Sequence, residues 1–234
     1  MLKLSQDLNV AQSIDDVYGV VDGFARDAGM VFGLLMNIEA DDVGNPQNLT
    51  VIAGSDDAPI PLNTSFNIDE FAFAQIMMDN ADNIFMIGDV AGESRIDENT
   101  KKDFKSLGVN AYIGIPLYLG GRWIGLVALH WPQTMDFTNQ MHRILLNVKR
   151  QITPQIQALQ VAEAIRQQSS IVTTSRDFIG IASPDGFTQY VNPAGLEWTG
   201  YSDVDVRGES IALWYSDETW TYLSEEVLPI VMTE

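Results

Sequence analysis

The chain has 234 residues, 46% hydrophobic and 19% charged, which is enough for one large domain or for one domain and part of another. Its 32 acidic and 13 basic residues give a net charge of −19, which disfavours nucleic acid and anionic membranes as partners. The absence of cysteine excludes disulfides, thiolate metal sites and cysteine nucleophiles. The sequence contains neither a signal peptide nor an apolar run long enough to span a membrane, so a cytoplasmic protein is expected.

Charge is distributed unevenly along the chain. Residues 1–136 hold 20 acids and 7 bases, residues 137–176 hold 1 and 5, and residues 177–234 hold 11 and 1. The middle segment therefore differs physically from its neighbours. These boundaries divide the chain into the segments 1–136, 137–176 and 177–234.

The first predicted elements are a helix and two strands. Ser13 is a suitable N-cap, and the apolar spacing after it predicts a helix that stops at Gly29. The apolar run Met30–Ile38 predicts a central strand. A turn through residues 41–47 leads to a second strand near Leu49–Ala53, and the two strands are expected to pair antiparallel.

Two helices and a short strand are predicted next. Asn67 followed by Glu70 predicts a capped helix that runs to about Asn80. Residues 83–89 predict a short strand, and Asn99–Leu107 predicts a polar helix closed by a glycine.

A hairpin and a long helix follow. Tyr112–Leu119 and Trp123–Trp131 predict strands joined through Gly120 and Gly121. From 137 to about 175 apolar residues recur at steps of three and four without a glycine, which predicts a helix of about 35 residues that is kinked at Pro154. The order of elements predicts an α+β fold with a mainly antiparallel sheet.

The first 160 residues resemble a GAF domain, a sensory module of phytochromes, phosphodiesterases and bacterial signalling proteins. The residues that carry the resemblance are Ile14–Tyr18, Met30–Ile38, Ile87–Val90 and above all the hairpin Val109–Leu129. The resemblance implies an antiparallel sheet flanked by helices, with a small molecule held on one sheet face.

The segment from Asp177 resembles the start of a PAS domain, a second sensory fold. Asp185-Gly186 suits a tight hairpin turn, and Asn192 followed by Pro193 is a favourable helix start. The other matching stretches are Asp177–Ala182, Thr188–Val191, Gly200-Tyr201, Arg207–Ile211 and Tyr215–Trp220. A PAS domain continues with three more strands, so the resemblance implies that 177–234 is a truncated PAS-like α+β domain.

If the GAF-like part binds a ligand, aromatic residues on alternate strand positions and on the helices are the candidates for its pocket. These candidates are Phe32, Phe71, Phe85, Tyr112, Tyr118 and Trp123. The alternative is that the same side chains are ordinary core aromatics.

No cofactor can be identified from the sequence. The absence of cysteine is taken to exclude a covalent bilin, and haem is not expected, because His130 and His142 have no paired spacing. Such isolated histidines do not predict a metal site, which needs three or four converging ligands. No nucleophile with a neighbouring base is recognisable, so no catalytic residue is assigned, although the parent protein could be an enzyme.

The long helix is expected to pair with its copy in a homodimer, as a coiled coil, unless it folds back on the sheet. The residues expected in this pairing are Leu145, Val148, Ile152, Ile156 and Leu159. The order GAF then PAS resembles the input region of bacterial two-component sensor histidine kinases, which act through a phosphorelay. Two alternatives stay open: a ligand-free dimerisation scaffold, and the input region of a diguanylate cyclase or other output protein.

Overall fold

The computed structural model describes residues 2–70, 73–79 and 83–231. The chain forms two compact units that divide between Val161 and Ala162. No helix within the described ranges has the length and apolar character needed to cross a membrane.

The first unit is a six-stranded antiparallel sheet with helices on both faces. Its strands are β1 (Phe32–Ala40), β2 (Pro46–Gly54), β3 (Ser65–Asn67), β4 (Phe85–Ile87), β5 (Ala111–Leu119) and β6 (Arg122–Trp131). Its helices are α1 (Leu2–Val10), α2 (Ile14–Asp27), α3 (Ala74–Asp79), α4 (Glu98–Ser106) and the first part of α5 (Asn139–Thr174). The strand order is β3-β2-β1-β6-β5-β4, and every pair is antiparallel. The predicted α+β class is confirmed.

The start of α2 follows from its sequence. Ser13 accepts a hydrogen bond from the backbone N–H of Asp16, whose carboxylate accepts one from the N–H of Ser13. This capping box satisfies backbone donors that a helix start leaves unpaired. The helix then buries Val17 and Val21 on the sheet.

The sheet separates two apolar cores, because successive strand residues point to opposite faces. On β5, Ala111 and Ile113 belong to the core shared with α2 and α5. Tyr112, between them, belongs to the other core, which also contains residues of α3 and α4. A cavity lies in this second core.

The predicted helix from Asn67 to about Asn80 is wrong in its first half. Asn67 instead ends strand β3 and pairs with Asn48 of β2. A single 3-10 turn, Ile68–Glu70, follows, and α3 begins only at Ala74. Strand pairing thus overrides a local capping signal, since tertiary context outweighs propensity.

The long helix is confirmed as α5, which continues through Pro154. Four of the residues expected in a dimer are buried in the chain's own core instead: Leu145, Val148, Ile152 and Ile156. Leu159 also packs against this core. These side chains are therefore covered without a second subunit, because the N-terminal part of α5 folds back on the sheet.

The second unit contains a two-stranded sheet of β7 (Gly180–Ala182) and β8 (Thr188–Val191). Its helices are the C-terminal part of α5, α6 (Pro193–Thr199), α7 (Asp203–Val206), α8 (Asp217–Tyr222) and α9 (Leu228–Val231). Asn192 caps α6, as its sequence predicts. Gly200 ends α6 with φ +76°, a left-handed conformation that favours glycine.

Candidate functional site

A cavity of about 210 Å³, called here the sheet cavity, lies against one face of the sheet in the first unit. Three central strands, β1, β5 and β6, supply its floor. The floor residues are Leu34, Met36, Tyr112, Ala128 and His130. They come together because alternate positions of neighbouring antiparallel strands share a face.

The cover of the cavity is apolar and largely aromatic. It comes from the segment after β2, the start of α3 and helix α4. The cover residues are Ile60, Phe66, Phe73, Phe104 and Leu107. Such a lining with few polar groups is typical of small-molecule pockets.

Aromatic rings contact one another around the cavity. Phe73 stacks on Tyr112 with ring centroids 4.9 Å apart, and Phe104 lies 5.4 Å from the same tyrosine ring. His130 lies 5.3 Å from Tyr112 and stacks on Phe32 at 4.1 Å. These packed rings give the cavity preformed walls, since each ring restricts its neighbours.

Tyr112 lines the cavity with its ring and has an unsatisfied polar group behind the floor. Its side chain is fully buried, and its hydroxyl has no hydrogen-bond partner among the described residues. Burial raises the pKa of this phenol well above its usual range, so the group stays protonated. Gly114, which does not line the cavity, makes room for the hydroxyl, because a Cβ atom there would lie 2.9 Å from the hydroxyl oxygen. A buried hydroxyl without a partner is costly.

His130 supplies a polar group of the floor. Its Nδ1 lies 3.2 Å from the carbonyl oxygen of Phe32, which can only accept, so Nδ1–H donates. Burial lowers the pKa of His130 to about 4, so the ring is neutral at pH 7. In this tautomer Nε2 is an acceptor, and no described side chain donates to it.

The rim of the cavity carries Glu70, Thr100 and Asp103. The hydroxyl of Thr100 donates to the α4 cap, Asp97, at 3.0 Å. Glu70 and Asp103 are exposed, and neither has a salt-bridge partner within the described part of the chain. The rim is therefore negatively charged.

A wider depression of about 1010 Å³ lies along the outer face of α1 and α2. Much of its lining consists of glycines and acidic side chains, such as Gly19, Gly23 and Asp15. It lacks the aromatic walls and buried polar group of the sheet cavity, so the sheet cavity is the stronger candidate.

The sequence matches no known family profile and no curated protein. Solved structures do resemble the chain. The chromophore-binding domain of an unusual bacteriophytochrome from R. palustris has 15% identity and a TM-score of 0.57, over 69% of this chain and 60% of that one. The phycocyanobilin-bound GAF domain from a cyanobacterial phytochrome has 13% identity and a TM-score of 0.57, over 69% and 96%. The GAF domain from an Acinetobacter phosphoenolpyruvate-protein phosphotransferase has 14% identity and a TM-score of 0.53, over 71% and 94%.

The fold is that of a GAF domain. The six-stranded antiparallel sheet, its flanking helices and the long helix all match this GAF fold. The GAF resemblance inferred from the sequence is confirmed at the level of the fold.

The expectation that no cofactor can be identified is wrong. Structures similar to this chain include GAF domains bound to phycocyanobilin and to phycoerythrobilin. The absence of cysteine removes only a thioether bond to such a group, so it cannot exclude the group itself.

The lining and the volume of the sheet cavity bear on whether a bilin fits it. Its aromatic walls and the acceptor nitrogen of His130 suit a flat, hydrogen-bonding molecule. Its volume of about 210 Å³ lies below the ~300–1,000 Å³ of typical ligand pockets. The cavity as it stands therefore favours a small molecule.

The six predicted pocket residues fall into three groups. Tyr112 lines the sheet cavity. Phe32 and Phe85 lie behind the lining, where the ring of Phe32 contacts that of His130 and the ring of Phe85 contacts that of Phe73. Tyr118 and Trp123 stack on each other at 6.0 Å near the hairpin turn, outside the cavity. Phe71 lies outside the described residues.

The sequence analysis missed His130, Phe73 and Phe104 as lining residues. The signal for His130 was its position on β6, where it pairs with Tyr112 on one side and Phe32 on the other. No group of three or more potential metal ligands occurs in the described ranges. No catalytic constellation is assigned to the sheet cavity.

Proposed function

We propose that the first unit is a sensory GAF domain that binds a small molecule in the sheet cavity. The observation that carries this proposal is an aromatic-lined cavity whose floor holds the neutral ring of His130, with an acceptor Nε2 to which no described side chain donates. The solved GAF domains with bound bilins support it, because they hold a ligand on this fold.

The same strands offer a route from ligand to output. Tyr112 and His130 reach the cavity, while their neighbours Ile113 and Leu129 pack on the opposite face, in the core that contains α5. A ligand that favours one arrangement of the floor would therefore shift the packing of α5.

The wider organisation belongs to the same proposal. We place a GAF domain at 1–136, a connecting helix at 137–176 and the first part of a PAS domain at 177–234, in the input region of a cytoplasmic two-component sensor histidine kinase. The β7–β8 hairpin, the Asn192 cap and Gly200 support the PAS assignment. A diguanylate cyclase is the alternative output protein.

Filling the cavity tests the ligand proposal. Ala128→Leu places three more carbons on the floor of the cavity, because Ala128 is 2% exposed and lines it. Native mass spectrometry of the wild type, compared with its denatured mass, is expected to show a co-purified small molecule, or thermal-shift screening a stabilising one. Ala128→Leu is expected to lose at least 90% of that binding, since the larger side chain occupies part of the cavity floor and would overlap a bound ligand.

Ala91→Leu makes the same change on an exposed turn and should bind as the wild type does. Retained binding in Ala128→Leu would place the ligand elsewhere and refute the proposal.

We also propose that the chain dimerises through α5, by exposed residues of its C-terminal part instead of the buried residues expected from the sequence. Ile165 and Ile171 are exposed at 61% and 70% in the C-terminal part of the helix. Exposed isoleucines on a long helix favour pairing, because association buries them. Ile165→Lys is expected to weaken self-association at least tenfold in sedimentation velocity, whereas the control Gln168→Lys should not. A wild type that sediments as a monomer at high concentration would refute dimerisation.

A further inference from the structure

The charge and hydrogen-bonding groups of the sheet cavity narrow its ligand class, and this step rests on the proposed function. His130 supplies the polar group of the floor. It is a neutral ring whose Nε2 is an acceptor, and no described side chain donates to it. A ligand N–H group would satisfy Nε2, which makes a nitrogen heterocycle a suitable match.

The walls favour a flat ring. Phe73, Phe104 and Tyr112 present aromatic surfaces around the same space. Flat aromatic molecules pack on such surfaces face to face or edge to face. The volume of about 210 Å³, below the ~300–1,000 Å³ of typical ligand pockets, favours one ring or two fused rings with a short substituent.

The charged side chains at the rim favour one charge of ligand over the other. Among the described lining residues, the ionisable side chains at the rim are those of Glu70 and Asp103, and both are acidic. Helix α4 also carries Lys101, Lys102 and Lys105, none of which lines the cavity, and Lys101 is 2.9 Å from Glu98. A cationic substituent at the rim would be attracted by the two carboxylates and could also contact the aromatic faces. An anionic substituent would be repelled.

We infer that the cavity selects a small nitrogen heteroaromatic molecule with a positively charged amine, and that Glu70 and Asp103 select its charge. The nitrogen ring lies on the floor against His130 and Tyr112. The amine points to the rim.

Three probes with one ring system and different charges test this inference. Tryptamine is cationic, indole is neutral and indole-3-acetate is anionic at pH 7. Calorimetric titration of the full chain at low salt is expected to give a dissociation constant at least tenfold lower for tryptamine than for indole-3-acetate. The ratio should shrink at 0.5 M salt, because ions screen exposed charges.

The variant Glu70→Gln/Asp103→Asn removes both rim charges and is expected to bring the tryptamine to indole-3-acetate ratio below threefold, with indole unchanged. The control Glu39→Gln/Asp42→Asn removes two exposed charges from the β1–β2 hairpin and should keep the wild-type ratio. This control separates the local field of the rim from the net charge of −19.

The outcomes distinguish the inference from the proposed function. Equal binding of the three probes, or tighter binding of the anion, overturns charge selection while a ligand cavity stands. A wild-type ratio in the rim variant overturns the role of Glu70 and Asp103. If no probe binds at millimolar concentration, the ligand class is wrong, and the cavity-filling variant Ala128→Leu still decides whether any ligand binds there.

Discussion

Asn192→Ala is expected to unfold the β7–β8 and α6 region of the second unit far more readily than the wild type. Asn192 is completely buried. Its Oδ1 accepts the N–H groups of Ile179 and Gly195, each at 3.0 Å. Its Nδ2 donates toward three carbonyls, those of Val172 and Ser175 near the end of α5 and that of Asp177. One side chain thus holds the end of the long helix, the chain before β7 and the start of α6.

Alanine would leave these backbone groups without their partner. The loss is roughly 3 kcal/mol, because a lost N-cap costs ~1 kcal/mol and other unsatisfied buried groups cost ~1–3 kcal/mol. Amide hydrogen exchange by mass spectrometry should show about 100-fold faster exchange in peptides from 177–200, since ~1.4 kcal/mol is tenfold. Peptides from the first unit should exchange as in the wild type.

Ser216→Ala is the matched control for this prediction. Ser216 caps α8 in the same unit, but it is exposed and its hydroxyl accepts a single backbone bond, from Thr219 at 3.3 Å. Its removal should accelerate exchange less than tenfold and only near α8, because an exposed cap costs ~1 kcal/mol. Exchange at 177–200 that changes less than threefold in Asn192→Ala would contradict the central role of Asn192.

Short sequence patterns predicted the helices and strands that interactions between residues near in sequence stabilise. The Ser13 cap, the glycine pair of the hairpin and the apolar spacing of α5 all gave the observed elements. Gly120 and Gly121 have φ of +58° and +79°, which is why glycine at these positions indicated the turn. The partner of α5 could not be predicted, since an apolar stripe does not say which surface covers it.

The residues that share the cavity floor were harder to predict, because the register between β5 and β6 depends on a bulge. A two-residue turn at 120–121 alone would pair Tyr112 with Leu129. A bulge beside Leu117 shifts the pairing by one residue, so Tyr112 faces His130 instead. Tyr118 is six residues from Tyr112, about 20 Å along a strand, which explains why it is outside the cavity. The cover residue Phe73 follows the mispredicted helix start, so its position could not be inferred.

His130 is expected to make the first unit sensitive to acid. The folded-state pKa of about 4 lies below the ordinary histidine pKa of 6.5, because burial disfavours the charged ring. The native state therefore binds fewer protons than the unfolded state between these values. Its stability contribution is fully present above pH 6.5 and is lost as the pH falls toward 4. The free energy of unfolding should fall by about 2 kcal/mol from pH 7 to pH 4.5 through this group alone.

His130→Asn removes the titration while keeping an amide that can donate to the Phe32 carbonyl. Urea unfolding at pH 7 and pH 4.5 should show a pH-dependent loss that is about 2 kcal/mol smaller in this variant than in the wild type. His142→Asn changes the other histidine, which is half-buried in α5, and should keep the wild-type loss. Equal losses in His130→Asn and the wild type would mean that the ring is already protonated or accessible in the folded state. Ligand binding by the folded protein should stay unchanged from pH 7 to pH 5 and weaken only as the pH falls through about 4, because Nε2 accepts a hydrogen bond until the folded-state ring is protonated.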